Sequence, residues 1–225
     1  MAPIALRTRL KRRAARAGVV LPDALAAQLA AYFELLERWN RKINLTALDD
    51  PEAAVDRLLL EPVLAGRHLP GKGPLALMDA GSGGGSPAIP LTLAAGGRVQ
   101  LTMVESKTRK CAFLREAVRQ LGIEAIVENA RFEELLARPE LHESFDVLSV
   151  RAVRIESRTL TTLQAFLRPG GQMLLFRGPL GPDPVADIIP PLEWVTTVPL
   201  LDSLRSRLSI LRKVATASYV PQLAG

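Results

Sequence analysis

The 225-residue sequence is short of several things, and each shortage excludes something. A single cysteine, Cys111, leaves no partner for an internal disulfide. Aromatic residues make up only 4% of the chain, so aliphatic side chains must fill any core. No apolar run approaches the roughly 18 residues of a membrane span. The amino end is basic but lacks the apolar stretch of a secretory signal. The 2 histidines, His68 and His142, stand apart from each other and from other ligating residues. That spacing argues against a metal site and against a Ser-His-Asp constellation. A soluble, cytoplasmic, metal-free protein is expected, monomeric rather than assembled, with length for one domain plus an appendage.

Acidic residues are also outnumbered: 29 Lys and Arg face 23 Asp and Glu, a formal charge of +6. Such a balance suits a polyanionic partner such as RNA without demonstrating one. Much of the excess lies in Arg7, Arg9, Lys11, Arg12, Arg13 and Arg16. These side chains read either as a solvated helix face or as phosphate contacts whose affinity falls with salt.

Two regions follow from the patterning. Residues 1–66 read as helical. Pro22-Asp23 can start a helix, with Leu25, Leu29, Tyr32, Phe33 and Leu36 at helical spacing. A polar turn spans Trp39 to Thr46, and a further helix covers about 51–64, burying Val55, Leu58, Leu59 and Val63. Pro and Gly between His68 and Pro74 mark the boundary. Residues 67–225 alternate short apolar strands (75–80, 99–104, 123–127, 145–150, 172–177) with helices (87–95, 107–121, 131–137, 156–167). That alternation predicts a mostly parallel sheet covered on both faces. Gly170-Gly171 reads as a break before the fifth strand. Segments 193–201 and 207–214 read as an antiparallel hairpin with no helix between them.

The segment Leu75–Pro87 carries the most chemistry. A buried strand ends at Asp79-Ala80 and enters Gly81-Ser82-Gly83-Gly84-Gly85-Ser86. Such glycines let a ligand approach the backbone closely, and in open α/β sheets ligands bind beyond the carboxyl ends of the strands. A nicotinamide fingerprint would place glycine at 81, 83 and 86, but position 86 is serine. The G-x-G-x-G turn after an acidic residue is similar instead to the S-adenosyl-L-methionine loop of class I methyltransferases. Asp79 would help hold the cationic amino-acid end of that cofactor. The competing reading is a tight turn without a ligand. Glu105, about 24 residues beyond Gly81, ends the second strand where a carboxylate can accept from both ribose hydroxyls, or favour the dipole of the following helix. Cys111, Leu114, Val118 and Leu121 share one helix face, so Cys111 reads as core and Lys107, Arg109 and Lys110 as exposed. Phe132 and Glu133 follow the third strand, where they border an adenine or belong to an ordinary helix. Arg151 ends the fourth strand, as a loop ion pair or a contact to an anionic group.

Together these segments resemble the RsmG (GidB) family of bacterial 16S rRNA methyltransferases, over most of the chain. Trp39-Asn40 with Asn44-Leu45-Thr46 is similar to its W-N-x-x-x-N-L-T signature. Asp79 to Leu91 resembles its D-x-G-[ST]-G-x-G-x-P-G-I-P-L, Arg151-Ala152 its S-R-A, and Leu167 to Gly171 its L-[KR]-P-G-G. The resemblance implies a Rossmann-like class I fold, methylation of a guanine N7 in 16S rRNA or the small subunit, and cofactor contacts at Gly81, Ser86, Phe132, Glu133 and Arg151. Gly83, Gly85, Asp79 and Glu105 complete the expected cofactor set. Asn44, Arg151 and Arg177 are the candidates for placing the nucleotide, and the basic helical region would face the rRNA. The chain departs from the pattern at Ala88, Val150, Glu61 and Arg177. A small-molecule methyltransferase, a nicotinamide oxidoreductase and a non-catalytic RNA-binding protein remain as alternatives at this level.

Overall fold

The computed structural model describes residues 3–46, 50–151, 156–179 and 188–215. Ala152 of the Arg151-Ala152 motif lies outside these residues.

The strands are β1 (Leu75–Ala80), β2 (Val99–Val104), β3 (Ala125–Glu128), β4 (Phe145–Arg151), β5 (Leu167–Arg177), β6 (Leu192–Pro199) and β7 (Arg207–Lys213). They form one sheet in the order β3-β2-β1-β4-β5-β7-β6. β1 to β5 run parallel, whereas β7 is antiparallel to both of its neighbours. The expected hairpin therefore exists, with its second strand inserted beside β5 and its first strand left at the edge. Strand residues alternate between the two faces of a sheet. Leu77, Leu101, Val147 and Leu174 enter one apolar cluster, and Met78, Leu148, Val150 and Leu175 enter the other.

Helices cover both clusters. On the first face lie α1 (Pro3–Arg16), α2 (Asp23–Asn40), α3 (Pro51–Val55), α4 (Glu61–Ala65), α5 (Ala88–Ala94) and α6 (Thr108–Leu121), and on the second α7 (Ser157–Gln164). α2 starts at Pro22-Asp23 and buries Leu29, Tyr32, Phe33 and Leu36, as its periodicity predicts. α6 ends at Gly122, whose left-handed conformation (φ 64°) suits glycine. The helical region shares its apolar cluster with the sheet, so the change of pattern near residue 67 does not divide the core.

Three local expectations are corrected. The predicted helix over 131–137 is a 3-10 turn at Glu134–Ala137, followed by another at Pro139–Leu141. Gly170-Gly171 does not precede the fifth strand but lies inside it, where the register with β4 shifts between Phe145 and Val147. A bulge and a loop both call on positive φ, here 83° at Gly170, so the glycine signal alone does not separate them. The predicted helix over 51–64 is interrupted by a π-helical turn at Asp56–Leu60.

Three of the six residues in the basic cluster near the amino end are ion-paired, two of them largely covered and Lys11 at the surface. Arg13 pairs with Asp56 and Glu52, Arg9 with Glu52 at 2.9 Å, and Lys11 with Asp23. Arg7, Arg12 and Arg16 are exposed.

Candidate functional site

A cleft of about 480 Å³ opens over the carboxyl ends of β1, β2 and β4. Its floor is the loop from Gly81 to Ser86. The amides of Gly81 and Ser82 both donate to the carbonyl of Val104, which ties the loop to the end of β2. Gly85 shows why the sequence needs glycine: its φ is +85°, and a Cβ there would stand 2.7 Å from Ile89 Cδ1. Glu105, 7% exposed, fastens the other side. Its Oε2 accepts from the amide of Gly83 at 2.9 Å, and its Oε1 accepts from Lys107 at 2.8 Å. Each oxygen keeps a second lone pair, and the carboxylate lines the cleft. The dipole and ligand readings of Glu105 are therefore compatible.

Asp79 lies beneath the loop and is 1% exposed. Because Asp79 and Ser149 are in register on β1 and β4, the Ser149 hydroxyl donates to Oδ1 at 2.5 Å. Oδ2 is buried with no hydrogen-bond partner among the described residues. Burial pushes this carboxyl up to about 6, against the opposing hydrogen bonds from Ser149 and Ser82 and the charge of Arg151. An acid whose folded value lies above its unfolded one stabilises the fold at low pH and loses that contribution as pH rises through the folded value. Between 3.8 and about 6, at about 1.4 kcal/mol per pH unit, this amounts to about 3 kcal/mol. The stability of Asp79→Asn minus that of the native chain should therefore grow by about 3 kcal/mol between roughly pH 4 and pH 7. Denaturant unfolding at the two pH values checks this, and an equal difference at both would refute it.

The helical region supplies the other wall. The Asn40 side chain clamps the turn after α2, accepting from Leu45 N (2.8 Å) and Thr46 N (3.0 Å) and donating to Thr46 O (2.9 Å). Trp39 meets Phe113 of α6 edge-on, with ring centroids 5.8 Å apart. These contacts explain why Trp-Asn opens the motif: both residues build the turn, which brings Leu45 and Thr46 to the cleft. The Tyr32 hydroxyl donates to Gly84 O, joining α2 to the glycine loop.

The π-helical turn is held from three sides. A π turn shifts the backbone bonding from i→i−4 to i→i−5 and leaves carbonyls to be satisfied elsewhere. Here Ser86 Oγ donates to Leu58 O at 2.8 Å, and Arg151 Nη1 donates to Arg57 O. The Asp56 side chain accepts from Arg13 and from Ser203 (2.6 Å). Arg151 also bonds Glu61 at 2.8 Å, with side chains 8% and 7% exposed, and stacks on Phe176 at 4.6 Å. Burial raises the Glu61 carboxyl, and Arg151 opposes the rise.

The structure thus brings Gly81, Gly83, Ser86, Glu105, Phe132, Glu133 and Arg151 to one cleft. Phe132 serves both of its readings, lining the cleft while packing on the second apolar cluster. Gly85 and Asp79 support the floor from below. Asn44 is exposed on the turn beside the lining residues Leu45 and Thr46. Arg177 ends β5 and donates to Ser209 at 3.0 Å, outside the lining set. Cys111 is buried and donates to Glu105 O at 3.1 Å. Leu36, Arg57, Leu58 and Lys110 also line the cleft, yet their helical spacing marks them only as core or surface. Among the described residues no His/Cys/Asp/Glu group is suited to hold a metal, and no helix is long and apolar enough to cross a membrane.

Known proteins resemble this chain in sequence and in fold. A family model described as GidB, rRNA small subunit methyltransferase G, matches residues 25–185. The ribosomal RNA small subunit methyltransferase G of Stenotrophomonas maltophilia (strain K279a) is 41% identical over 180 residues, 79% of this chain and 80% of that protein. Its namesake from Syntrophotalea carbinolica is 30% identical over 220 residues, 92% of this chain and 99% of that one. Among solved structures, a SAM dependent methyltransferase from Aquifex aeolicus aligns with a TM-score of 0.55 at 14% identity, covering 75% of this chain and 95% of its own. The [4+2]-cyclase SpnF aligns at 0.54 and 15%, covering 73% and 83%. At such identities the likeness concerns the fold, and the pairing of a methyltransferase with a cyclase shows that the fold alone does not set the reaction.

Proposed function

Because this chain belongs to the rRNA small subunit methyltransferase G (GidB) family, we propose that it methylates N7 of a guanine in 16S rRNA, using S-adenosyl-L-methionine, as a soluble cytoplasmic monomer. The observation that carries the cofactor assignment is the joint between the glycine loop and Glu105 at Gly83, over a buried Asp79 with an unsatisfied oxygen. A cationic amino-acid end above Asp79 relieves that oxygen's desolvation, and a vicinal diol suits the free lone pairs of Glu105. The residues present therefore fit the cofactor.

When bound, the cofactor supplies an electrophilic methyl group on a sulfonium. The chain's own work is to hold and align. Gly81 to Ser86 cradle the amino-acid end, with Asp79 beneath and Glu105 at the ribose. Phe132 and Glu133 flank the adenine. Guanine N7 carries an available lone pair at neutral pH, so no general base is required, and alignment and electrostatics carry the acceleration. Asn44, from its exposed turn, and Arg177, at the top of β5, place the nucleotide. Arg151 positions the wall through Arg57 O and Glu61. The helical region faces the rRNA.

Incubating purified protein with methyl-labelled cofactor and ribosomal particles, then mapping the product, tests this reading. One 7-methylguanosine in 16S rRNA is the expected result. Label on another base, or none on rRNA, overturns it.

A further inference from the structure

The cleft has four cationic lining residues: Arg57, Lys110, Arg131 and Arg151. Two are committed elsewhere. Arg151 is paired with Glu61, and Arg131 Nε stands 3.6 Å from Glu133. Arg57 and Lys110 have no carboxylate within ion-pair distance among the described residues. Arg57 is exposed and Lys110 half-exposed, so both reach solvent at the mouth.

Their places in the fold set them on either side of the opening. Lys110 lies in the first turn of α6, directly after β2. Arg57 lies on the π-helical turn, with its carbonyl held by Arg151 at the end of β4. β1 and the glycine loop lie between these two strands. Two strand spacings separate their tops by about 10 Å. The Arg57 backbone is fixed by Arg151 and, one residue on, by Ser86 at Leu58 O, so its side chain starts from a rigid base.

We propose that Arg57 and Lys110 are positioning residues that hold rRNA phosphates on the two sides of the target nucleotide. This rests on the reading of the chain as an rRNA methyltransferase. An acceptor base must leave its stack to enter a cleft, which leaves its flanking phosphates at the rim. Two unpaired cations bracketing that rim match the charge and placement of those phosphates. Cofactor recognition, by contrast, uses the floor and Glu105. The electrostatic contact to RNA thus extends across the cleft mouth, while in the basic stretch near the amino end Arg9, Lys11 and Arg13 are paired with Glu52, Asp56 and Asp23.

The test compares Arg57→Gln, Lys110→Gln and the double variant with the native chain in binding to 16S rRNA across a salt series. Arg212→Gln serves as a control for net charge: Arg212 is in register with Gln172, away from the strand tops, and pairs with Glu193. Each cleft variant is expected to weaken RNA binding about five- to eightfold at 0.1 M salt and to reduce the log–log salt slope by about 0.7–0.9; in the double variant the slope losses add to about 1.4–1.8 and the affinity losses multiply to roughly 25- to 60-fold. Arg212→Gln should leave the slope unchanged. Calorimetry with S-adenosylhomocysteine should give the same affinity for all the variants. Unchanged salt slopes in the cleft variants overturn the proposal, as does an equal loss in Arg212→Gln. A parallel fall in S-adenosylhomocysteine affinity overturns it too, by assigning the cations to the cofactor. If the native chain places no methyl group on rRNA, the underlying reading fails instead, and the labelling experiment reports that separately.

Discussion

Arg151→Ala is expected to destabilise the fold by about 3–5 kcal/mol, the range found when one partner of a buried ion pair is removed. The Arg151 and Glu61 side chains are 8% and 7% exposed, so truncation leaves a carboxylate desolvated and uncompensated. It also removes the donor to Arg57 O and the cation stacked on Phe176. Burial already raises the Glu61 carboxyl, and losing Arg151 raises it further. Such an acid costs stability as pH rises, so the deficit of Arg151→Ala should be larger at pH 8 than near pH 5. Urea unfolding at the two pH values, followed by tryptophan fluorescence, measures both effects. The double variant Arg151→Met, Glu61→Leu supplies the mechanistic check. It removes both charges and fills the space with apolar atoms, and should recover most of the loss. A single variant within about 1 kcal/mol of the native chain, with no pH dependence, would refute the account of how the π-helical wall is held.

That wall also marks where sequence legibility ends. The floor of the cleft was readable because its determinants are local. A strand period of two, an acidic residue, a glycine turn and Pro87 fall within about a dozen consecutive residues, and their geometry follows from backbone sterics. Glu105 was readable for the same reason, as the polar end of an apolar strand. The bond that ties Glu105 to the glycine loop was not readable, because Gly83 N–H comes from a different strand end. Arg57 and Leu58 carry the helical spacing of an amphipathic segment, and periodicity assigns them to a core or a surface. Only the contacts of Leu58 O with Ser86 and of Arg57 O with Arg151, which lies 94 residues away in sequence, turn that segment into a wall of the site. The pairs Arg13–Asp56 and Arg151–Glu61 have the same character: Arg13 alone reads as a solvated charge or a phosphate contact, and Arg151 as an ion pair or anion contact, but the sequence does not say which carboxylate either one meets. The hairpin was legible as two strands, but the insertion of β7 beside β5 depends on which apolar face meets the sheet, and adjacent strands do not encode that. The bulge at Gly170-Gly171 and the 3-10 turns after β3 failed for a local reason. Glycine pairs and short apolar doublets such as Leu135-Leu136 fit more than one backbone geometry, and packing chooses between them.

Removing the Glu105 carboxylate should have the largest effect on the cofactor. Two charge-assisted hydrogen bonds to a diol contribute about 1.5–3 kcal/mol each. Glu105→Ala should therefore raise the dissociation constant for S-adenosylhomocysteine by about a hundredfold or more. Part of that loss can arise without any contact to ribose, because the amides of Gly83 and Lys107 lose their acceptor and the loop floor loosens. The two contributions separate in a cycle with 2′-deoxy-S-adenosylhomocysteine. If Glu105 engages the diol, the native chain binds the deoxy analogue at least tenfold more weakly, and Glu105→Ala no longer tells the two ligands apart. If Glu105 only fastens the loop, the variant weakens both ligands by one factor and the native discrimination survives. The second outcome would leave Glu105 as the acceptor that ties Lys107 N, just before α6, to Gly83 N of the glycine turn, and would move ribose recognition to another part of the cleft.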